Sequence, residues 1–303
     1  MQEVGSDDAQ AQVNRSFLFV PGDNGRKLEK AAESAADAII VDLEDSVAPR
    51  EKARGRSIAR EFLSEHRDRG CWVRINPLDT EDALADLRAL MPSAPAGIVL
   101  PKPKGANDTV RLGKLLDVLE QEHSLPVGRT PILPITTERP EALFRMQEYS
   151  EASARLAGLT WGAEDLGAAL GASGIRDDRG NWLAPYQLAR SLCLFAAAAA
   201  GVPAIDTVYT DYRDESGLEA FASAGRRDGF SGMLAIHPGQ VAVINAAFVP
   251  TGEEVERAAR IVELFAASPE AGTIGLDGVM LDRPHLVQAR RVLEVARRLK
   301  SQS

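Results

Sequence analysis

Cysteine and histidine are scarce in this sequence, which has two cysteines and four histidines among its 303 residues. Cys71 and Cys193 lie far apart in apolar segments, so we expect two buried, reduced thiols rather than a disulfide. No CxxC, HExxH, GxSxG or P-loop pattern occurs, and no two histidines are spaced as a pair. These absences argue against a zinc site. They leave carboxylates and arginines as the residues for any chemistry.

Long apolar runs and an excess of basic residues are also missing. The longest apolar run, residues 192–202, is alanine-rich and shorter than the roughly 18 residues that span a bilayer. A net charge of −9 would repel nucleic-acid phosphates. Residues 1–13 have no basic start and no apolar segment, so we expect a disordered leader rather than a signal peptide. The sequence therefore predicts a cytoplasmic protein that binds neither membrane nor nucleic acid.

Eight short apolar runs recur along the chain, at residues 17–21, 38–42, 71–75, 97–101, 131–135, 156–160, 204–208 and 232–236. Each is nearly continuous in its hydrophobicity, as in strands that are buried on both faces of a parallel sheet. Segments of helical periodicity separate them, at 27–35, 50–66, 79–91, 107–120, 141–149, 185–200 and 216–224. This alternation predicts a (β/α)8 TIM barrel over residues 14–246. The rival fold, an open doubly wound sheet, would favour a GxGxxG after the first strand, and none is present.

Residues 247–303 follow the eighth unit and predict a C-terminal helical extension. Thr251 and Glu254 have the spacing of a capping box that opens a helix. A loop at 268–273 and a short apolar run at 276–281 come next, and Pro284 starts a last helix that runs to Lys300. We therefore expect a small subdomain rather than a ninth barrel unit.

Polar residues gather where the predicted strands end, and in barrels that rim is where active sites are built. In chain order they are Glu44, Asp45, Arg74, Lys102, Glu138, Glu164, Asp165, Tyr209, Asp211 and His237. Several carboxylates beside water suit Mg²⁺, and an arginine can fork onto a substrate carboxylate or a developing enolate oxygen. A metal-free aldolase with Lys102 as a Schiff base is an alternative that the acidic cluster disfavours. We interpret His237 as a structural hydrogen-bonding residue rather than a base.

The chain resembles the citrate lyase β-subunit-like CoA-ester lyases, which include citryl-CoA, malyl-CoA and citramalyl-CoA lyases. The resemblance runs from about residue 15 to the C-terminus and depends on an ordered set of motifs. These are RSFLFVPG (15–22), DAIIVDLEDSV (37–47), WVRINP (72–77), LPK (100–102), TWGAEDL (160–166), IDTV (205–208), IHP (236–238) and GVMLD (278–282). Any one of them alone would be weak evidence.

The resemblance implies a magnesium site with Glu138 and Asp165 as the metal ligands, Glu138 also facing the substrate. Glu44 and Asp45 would hold metal-bound waters. Arg74 would bind the substrate carboxylate and the thioester enolate.

The same resemblance implies that Asp282 is the acid/base residue and acts in the active site of a neighbouring subunit, which requires a homo-oligomer such as a trimer or hexamer. Coenzyme A would lie along the rim as part of the substrate. Arg15, Lys52 and Arg54 are the candidates for contacting its phosphates.

One segment departs from the family pattern. The family usually has isoleucine followed directly by Glu-Thr and then, a few residues on, glycine. Residues 135–140 read ITTERP, so the carboxylate of Glu138 comes two residues late and the glycine is absent. We therefore expect the neighbouring substrate pocket to differ from that of the well-known lyases.

The predicted function is Mg²⁺-dependent cleavage, or formation, of a 3-hydroxyacyl-CoA, with a 2-keto acid and an acyl-CoA as the other partners. Alternatives are a CoA thioester hydrolase, a CoA-free 2-keto-acid aldolase and a non-catalytic barrel subunit. The same residues also have purely structural interpretations. Glu138 and Asp165 could favour helix starts, Arg74 could pair with Asp79 or Glu44, and Asp282 could cap a loop.

Overall fold

The computed structural model describes residues 14–302, which divide into two compact units, one from Asn14 to Ala247 and one from Phe248 onward. The leader predicted for residues 1–13 lies outside the described residues. Within the described part of the chain, no helix combines the length and the apolar character needed to cross a membrane. Both cysteines are unpaired and buried, as predicted, and burial raises the pKa of Cys71 to about 11.

Eight parallel strands form the first unit's sheet, in the order β5-β4-β3-β2-β1-β8-β7-β6. Their bounds are β1 Ser16–Pro21, β2 Ala38–Asp42, β3 Cys71–Arg74, β4 Gly97–Leu100, β5 Ile132–Pro134, β6 Leu159–Thr160, β7 Ala204–Asp206 and β8 Gly232–Ala235. Single bridges from Ile132 to Leu156 and from Ile135 to Thr160 bring β5 against β6, so the barrel is nearly closed. The TIM-barrel prediction is confirmed, and each predicted run contains a strand.

Nine helices lie in the described part of this unit, and three of them differ from the prediction. Their bounds are α1 Gly25–Ala32, α2 Lys52–Glu65, α3 Glu81–Leu90, α4 Ala106–Glu122, α5 Pro140–Leu143, α6 Glu164–Leu170, α7 Ala184–Ala200, α8 Glu215–Asp228 and α9 Gln240–Ala247. The helix predicted at 141–149 is a single turn followed by a 3-10 segment, Met146–Glu151. Neither α6 nor α9 was predicted as a helix, although two acidic residues in the first turn of α6 favour one.

Side chains from most of the strands fill the barrel interior. The central cluster consists of Phe17, Ala38, Ile40, Trp72, Val99, Leu133, Ile135, Ile205 and Leu234. Trp72 needs Gly97 beside it, because a Cβ on Gly97 would lie 2.4 Å from the indole ring. This packing fixes β3 and β4 against each other, and these strands end in Arg74 and immediately before Pro101-Lys102.

The second unit contains a helix, a hairpin and a final helix: α10 Gly252–Ala267, β9 Thr273–Leu276, β10 Val279–Asp282 and α11 Arg283–Gln302. The predicted capping box is present, with Thr251 and Glu254 bonded in both directions. The apolar run at 276–281 forms an antiparallel hairpin, which the prediction missed. Its signal was the Asp277-Gly278 dipeptide, since both residues have the positive φ (51° and 77°) of a tight hairpin turn.

Candidate active site

Arg74 and Asp42 form a buried pair at the carboxyl ends of β3 and β2, where the strand register places them side by side. Two hydrogen bonds of 2.7 Å join Nε and Nη2 of Arg74 to the two carboxylate oxygens of Asp42. Burial alone would raise the pKa of Asp42, but the charge of Arg74 and the hydrogen bonds that the carboxylate accepts together lower it below its usual value. Sequence reasoning missed this partner, which the parallel register of DLED beside WVR could have indicated.

Glu44 is almost fully buried next to this pair. Its Oε2 lies 3.0 Å from Nη1 of Arg74, an ion pair without the angle of a hydrogen bond. Burial raises the pKa of Glu44, against the opposing effect of Arg74. Lys52 fixes the backbone here, because its ammonium donates bonds of 2.7 Å to the carbonyls of Leu43 and Glu44 and to Asn76.

Lys102 lies at the centre of the cluster. Its Nζ is 2.7 Å from Glu44, 2.8 Å from Asp45 and 3.2 Å from Asp165. Its backbone N–H donates to Oε2 of Glu138 over 2.6 Å, from a left-handed conformation with φ of 49°. One residue thus contacts four carboxylates, two that follow β2, one that follows β5 and one in α6.

The protonation of Lys102 bears on the Schiff-base alternative. Burial alone would lower the pKa of the ammonium, but its hydrogen bonds to Asp45 and Glu44 raise it above the ordinary value. A Schiff-base lysine must be neutral to attack a carbonyl group. The arrangement therefore argues against that role for Lys102.

Glu138 is buried, and burial, followed by the charges of Glu44 and Asp165, raises its pKa well above the ordinary value. Its carboxylate packs against Gly162, where a Cβ atom would lie 3.0 Å from Cγ of Glu138. The carboxylate that the altered ITTERP segment supplies therefore reaches the cluster despite its late position.

Two threonines anchor the ITTERP segment to β6 and to the TWGAEDL motif that follows it. Thr136 Oγ1 donates to the Thr160 carbonyl over 3.0 Å. Thr137 Oγ1 donates to the Gly162 carbonyl over 3.0 Å and accepts from the Gly162 N–H over 3.1 Å. These bonds set the distance between Glu138 and the Glu164-Asp165 pair.

The donor set fits a divalent cation. Five carboxylates, from Asp42, Glu44, Asp45, Glu138 and Asp165, share the described site with two cationic side chains. Oxygen-rich, negatively charged surroundings are those that Mg²⁺ prefers. Within residues 14–302, one group of three side chains has its potential metal-ligand atoms close enough together to share an ion. It lies on the surface, away from this site, and consists of Glu29, Glu65 and His66. At the candidate site, Lys102 instead contacts both Glu138 and Asp165.

The three candidates for coenzyme A phosphates are not brought together. Arg15 precedes β1, at the amino-terminal end of the strands, and three bonds of 2.7 to 2.8 Å engage it with Asp37. Lys52 is committed to its carbonyl and amide partners. Arg54 remains largely exposed, with one ion pair of 3.3 Å to Glu51. The position of Arg15 does not support its predicted contact at the rim.

Asp282 ends β10 in the second unit, and its side chain is 41% exposed. Its Oδ1 lies 2.5 Å from Nδ1 of His285. Sequence reasoning selected Asp282 but not this histidine.

The IDTV motif has a structural role that sequence reasoning did not assign. Asp206 is fully buried, accepts a bond of 2.8 Å from Trp161 Nε1 and binds Arg190 of α7. Trp161 directly precedes Gly162, so this bond fixes the strand end that carries Asp165. Asp206 therefore stabilises the segment that positions Asp165, without itself lying in the site.

Comparison with known proteins shows the family of the chain. Residues 15–238 match the HpcH/HpaI aldolase/citrate lyase family. The chain belongs to that family. A relative from Cereibacter sphaeroides strain KD131, named (3S)-malyl-CoA thioesterase, is 36% identical over 293 residues, which cover 95% of this chain and 96% of that protein. The citrate lyase subunit beta of Escherichia coli K12 is 35% identical over 289 residues, 94% of each chain.

A solved structure shares the fold along nearly the whole chain. Protein CitE from Mycobacterium tuberculosis, in complex with magnesium, acetoacetate and coenzyme A, superimposes with a TM-score of 0.80 and 31% identity. The match covers 94% of this chain and 98% of CitE. The family that the sequence motifs predicted is thereby confirmed, and its name covers aldolases and citrate lyases.

Proposed function

We propose that this protein is a Mg²⁺-dependent carbon–carbon lyase acting on a 3-hydroxyacyl-CoA of the malyl-, citramalyl- or citryl-CoA type. The observation that carries the proposal is the cluster in which Arg74 is fixed beside Glu44 while Lys102 contacts Glu44, Glu138 and Asp165. The names of the relatives and the ligands of CitE support coenzyme A esters as the substrate class.

Glu138 and Asp165 would hold the metal directly, while Glu44 and Asp45 would hold its waters. When bound, Mg²⁺ supplies a Lewis acid for the oxygens of the 2-hydroxy acid half of the substrate. The fit depends on charge, because burial and the charges of Glu44 and Asp165 disfavour the ionised form of Glu138, which a bound dication would stabilise.

Arg74 would bind the substrate carboxylate and stabilise the enolate oxygen as negative charge develops there. Its guanidinium is already oriented by Asp42, so little reorganisation is needed in the transition state. Arg54 is the remaining exposed candidate for a coenzyme A phosphate.

The cleavage step moves two protons. A base takes the proton of the substrate hydroxyl, the carbon–carbon bond breaks, and a 2-keto acid and the enolate of an acyl-CoA result. Asp282 of a neighbouring subunit then protonates the enolate carbon, so the active form would be a homo-oligomer. The reverse condensation uses the same residues.

Thioester hydrolysis is a second candidate, favoured by the (3S)-malyl-CoA thioesterase relatives at 36% identity. In that reaction water adds to the thioester carbonyl, the C–S bond breaks, and a free carboxylic acid and coenzyme A thiol leave.

One assay separates the candidates, if malyl-CoA and citramalyl-CoA are supplied with Mg²⁺ while keto acid and free thiol are both followed. Keto acid without thiol supports the lyase, and thiol indicates the hydrolase. Keto acid from a 4-hydroxy-2-keto acid lacking coenzyme A would indicate the aldolase. Asp165→Ala should abolish the activity, and Asp178→Ala, at an exposed carboxylate, is the matched control. No product from either thioester would refute the lyase proposal for these substrates.

A further inference from the structure

Asp282 and His285 form a close side-chain pair in the second unit, and no step of the proposed reaction uses the histidine. Nδ1 of His285 lies 2.5 Å from Oδ1 of Asp282. The backbone N–H of Asp282 donates to the same Nδ1 atom over 3.2 Å. Both contacts therefore converge on one ring nitrogen.

The local fold explains why the imidazole turns back toward Asp282. Asp282 ends β10 and α11 begins at the next residue, so His285 is the third residue of the helix. In a capping box, the third helical residue accepts a hydrogen bond from the backbone N–H that precedes the helix. His285 occupies the position that Glu254 has in α10, where the carboxylate accepts from Thr251 N over 2.7 Å. The helix start thus holds the imidazole against the carboxyl group.

A ring nitrogen either accepts a hydrogen bond or donates one. While Nδ1 accepts from the Asp282 N–H, an approach of 2.5 Å between Nδ1 and Oδ1 is favourable only with a proton between them. The shared proton lies either on Oδ1 of a carboxylic acid beside a neutral imidazole or on Nδ1 of the imidazole beside a carboxylate, and in the second arrangement Nδ1 no longer accepts from the Asp282 N–H. The neighbouring charges have other partners, since Arg257 and Arg260 of α10 pair with Asp277, and Arg283 donates to the Pro269 carbonyl.

We propose that His285 is a positioning residue for Asp282, holding its carboxyl group in one orientation and sharing the proton that Asp282 transfers. The inference rests on the proposed function, in which Asp282 protonates the enolate carbon. In that step the O–H bond of Asp282 breaks and a C–H bond forms. The imidazole, itself 41% exposed, then returns one proton from water to the carboxylate.

Two substitutions separate orientation from proton sharing. In His285→Gln the amide can still accept from the Asp282 N–H and donate to the carboxylate, but it carries no exchangeable acid proton, whereas His285→Ala removes both functions. We expect His285→Gln to lower kcat about 10-fold and His285→Ala, which loses both functions, about 100-fold, with KM changed less than about twofold in each. The glutamine variant should keep the melting temperature of the wild type.

His123→Gln, an exposed histidine at the end of α4, is the matched control and should leave kcat unchanged. Wild-type kcat in His285→Gln would overturn the proposed proton sharing, because orientation alone would then be sufficient, and wild-type kcat in His285→Ala would overturn the whole proposal.

A measurement without substrate tests the pair independently of the reaction. In the full-length protein labelled with ¹⁵N-histidine, the Nδ1 resonance of His285 should change in Asp282→Asn, because the shared proton is lost. An unchanged resonance would overturn the inference. A changed resonance in a protein that cleaves no acyl-CoA would support the pair and count against the proposed function alone.

Discussion

Asp42 and Arg74 lie side by side in the register of β2 and β3, and two bonds of 2.7 Å join the carboxylate to the guanidinium. Arg74 therefore has one orientation before any substrate arrives. An arginine fixed in this way presents its charge with little reorganisation. The pair also determines how the site responds to mutation and to pH.

Asp42→Asn should destabilise the protein and lower its activity, because Arg74 loses its buried counter-charge. Removing one partner of a buried ion pair costs about 3–5 kcal/mol of stability. We expect most of that loss but not all of it, because the charge of Glu44 still faces the guanidinium. Urea unfolding measures the free energy of unfolding of each variant. Asp37→Asn breaks the less buried pair with Arg15 and is the control, with a smaller loss and unchanged kcat. Equal losses in both variants would contradict the special role of the buried pair.

The lowered pKa of Asp42 predicts that the stability of the protein decreases in acid. Burial raises the pKa of Asp42, but the charge of Arg74 and the hydrogen bonds from Arg74, Ser46 and Glu44 together hold it below the ordinary value. Its contribution to stability is therefore fully present above the unfolded pKa of about 3.9 and is lost as the pH falls through the lower folded value. The free energy of unfolding of the wild type should fall more steeply below about pH 4 than that of Asp42→Asn. Parallel curves would show that another group is responsible.

Glu138→Gln should stabilise the protein at neutral pH when Mg²⁺ is absent. Burial, with Glu44 and Asp165, raises the pKa of Glu138, so wild-type stability declines as the pH rises above the unfolded value of about 4.3. Glutamine removes this decline and can still accept the bond from the Lys102 N–H. The gain should approach about 1.4 kcal/mol for each pKa unit, measured by urea unfolding at pH 5 and pH 8. A variant that is less stable than wild type at pH 8 would contradict the shift.

The same substitution should remove the stabilisation by Mg²⁺, because a metal ligand is lost. A calorimetric scan with and without Mg²⁺ should show a rise in melting temperature for wild type alone.

Gly162→Ala should impair the metal site without unfolding the barrel. A Cβ atom there would lie 3.0 Å from Cγ of Glu138, so the carboxylate must shift by a few tenths of an ångström. We expect weaker Mg²⁺ binding by calorimetric titration and a lower kcat. Gly174→Ala, whose nearest neighbour would be at 3.8 Å, is the control and should bind Mg²⁺ normally. Equal affinities in the two variants would show that Glu138 tolerates the methyl group.

The sequence predicted those features that depend on burial alone. A strand covered on both faces must be apolar throughout, so the eight runs marked the barrel and their ends marked its rim. It did not predict which charges pair, because the Asp42–Arg74 contact depends on the register between strands. The central position of Lys102 depends on a left-handed backbone at a non-glycine residue, which composition does not indicate. Whether the ITTERP segment brings Glu138 to the site depends on its packing against Gly162 and on the two threonine hydrogen bonds, which the sequence alone does not show.

Lys102 and a divalent cation would neutralise the same carboxylates and therefore compete for them. Lys102→Met removes the ammonium that lies 2.7 to 3.2 Å from Glu44, Asp45 and Asp165. Without metal the variant should melt at a lower temperature than wild type, because these carboxylates then repel one another. Saturating Mg²⁺ should raise its melting temperature more than that of wild type, since binding to the folded state alone stabilises that state.

Lys104→Met is the matched control, because Lys104 is half-exposed and pairs with Asp79 at 3.3 Å, outside the cluster. Its response to Mg²⁺ should equal that of wild type, and NaCl at matched ionic strength separates specific binding from screening. An equal rise for Lys102→Met and Lys104→Met would mean that the lysine and the metal do not share ligands. In that case the carboxylates around Lys102 would form a structural ion cluster. The metal would then have to bind Glu138 on the side of the carboxylate that faces away from Lys102.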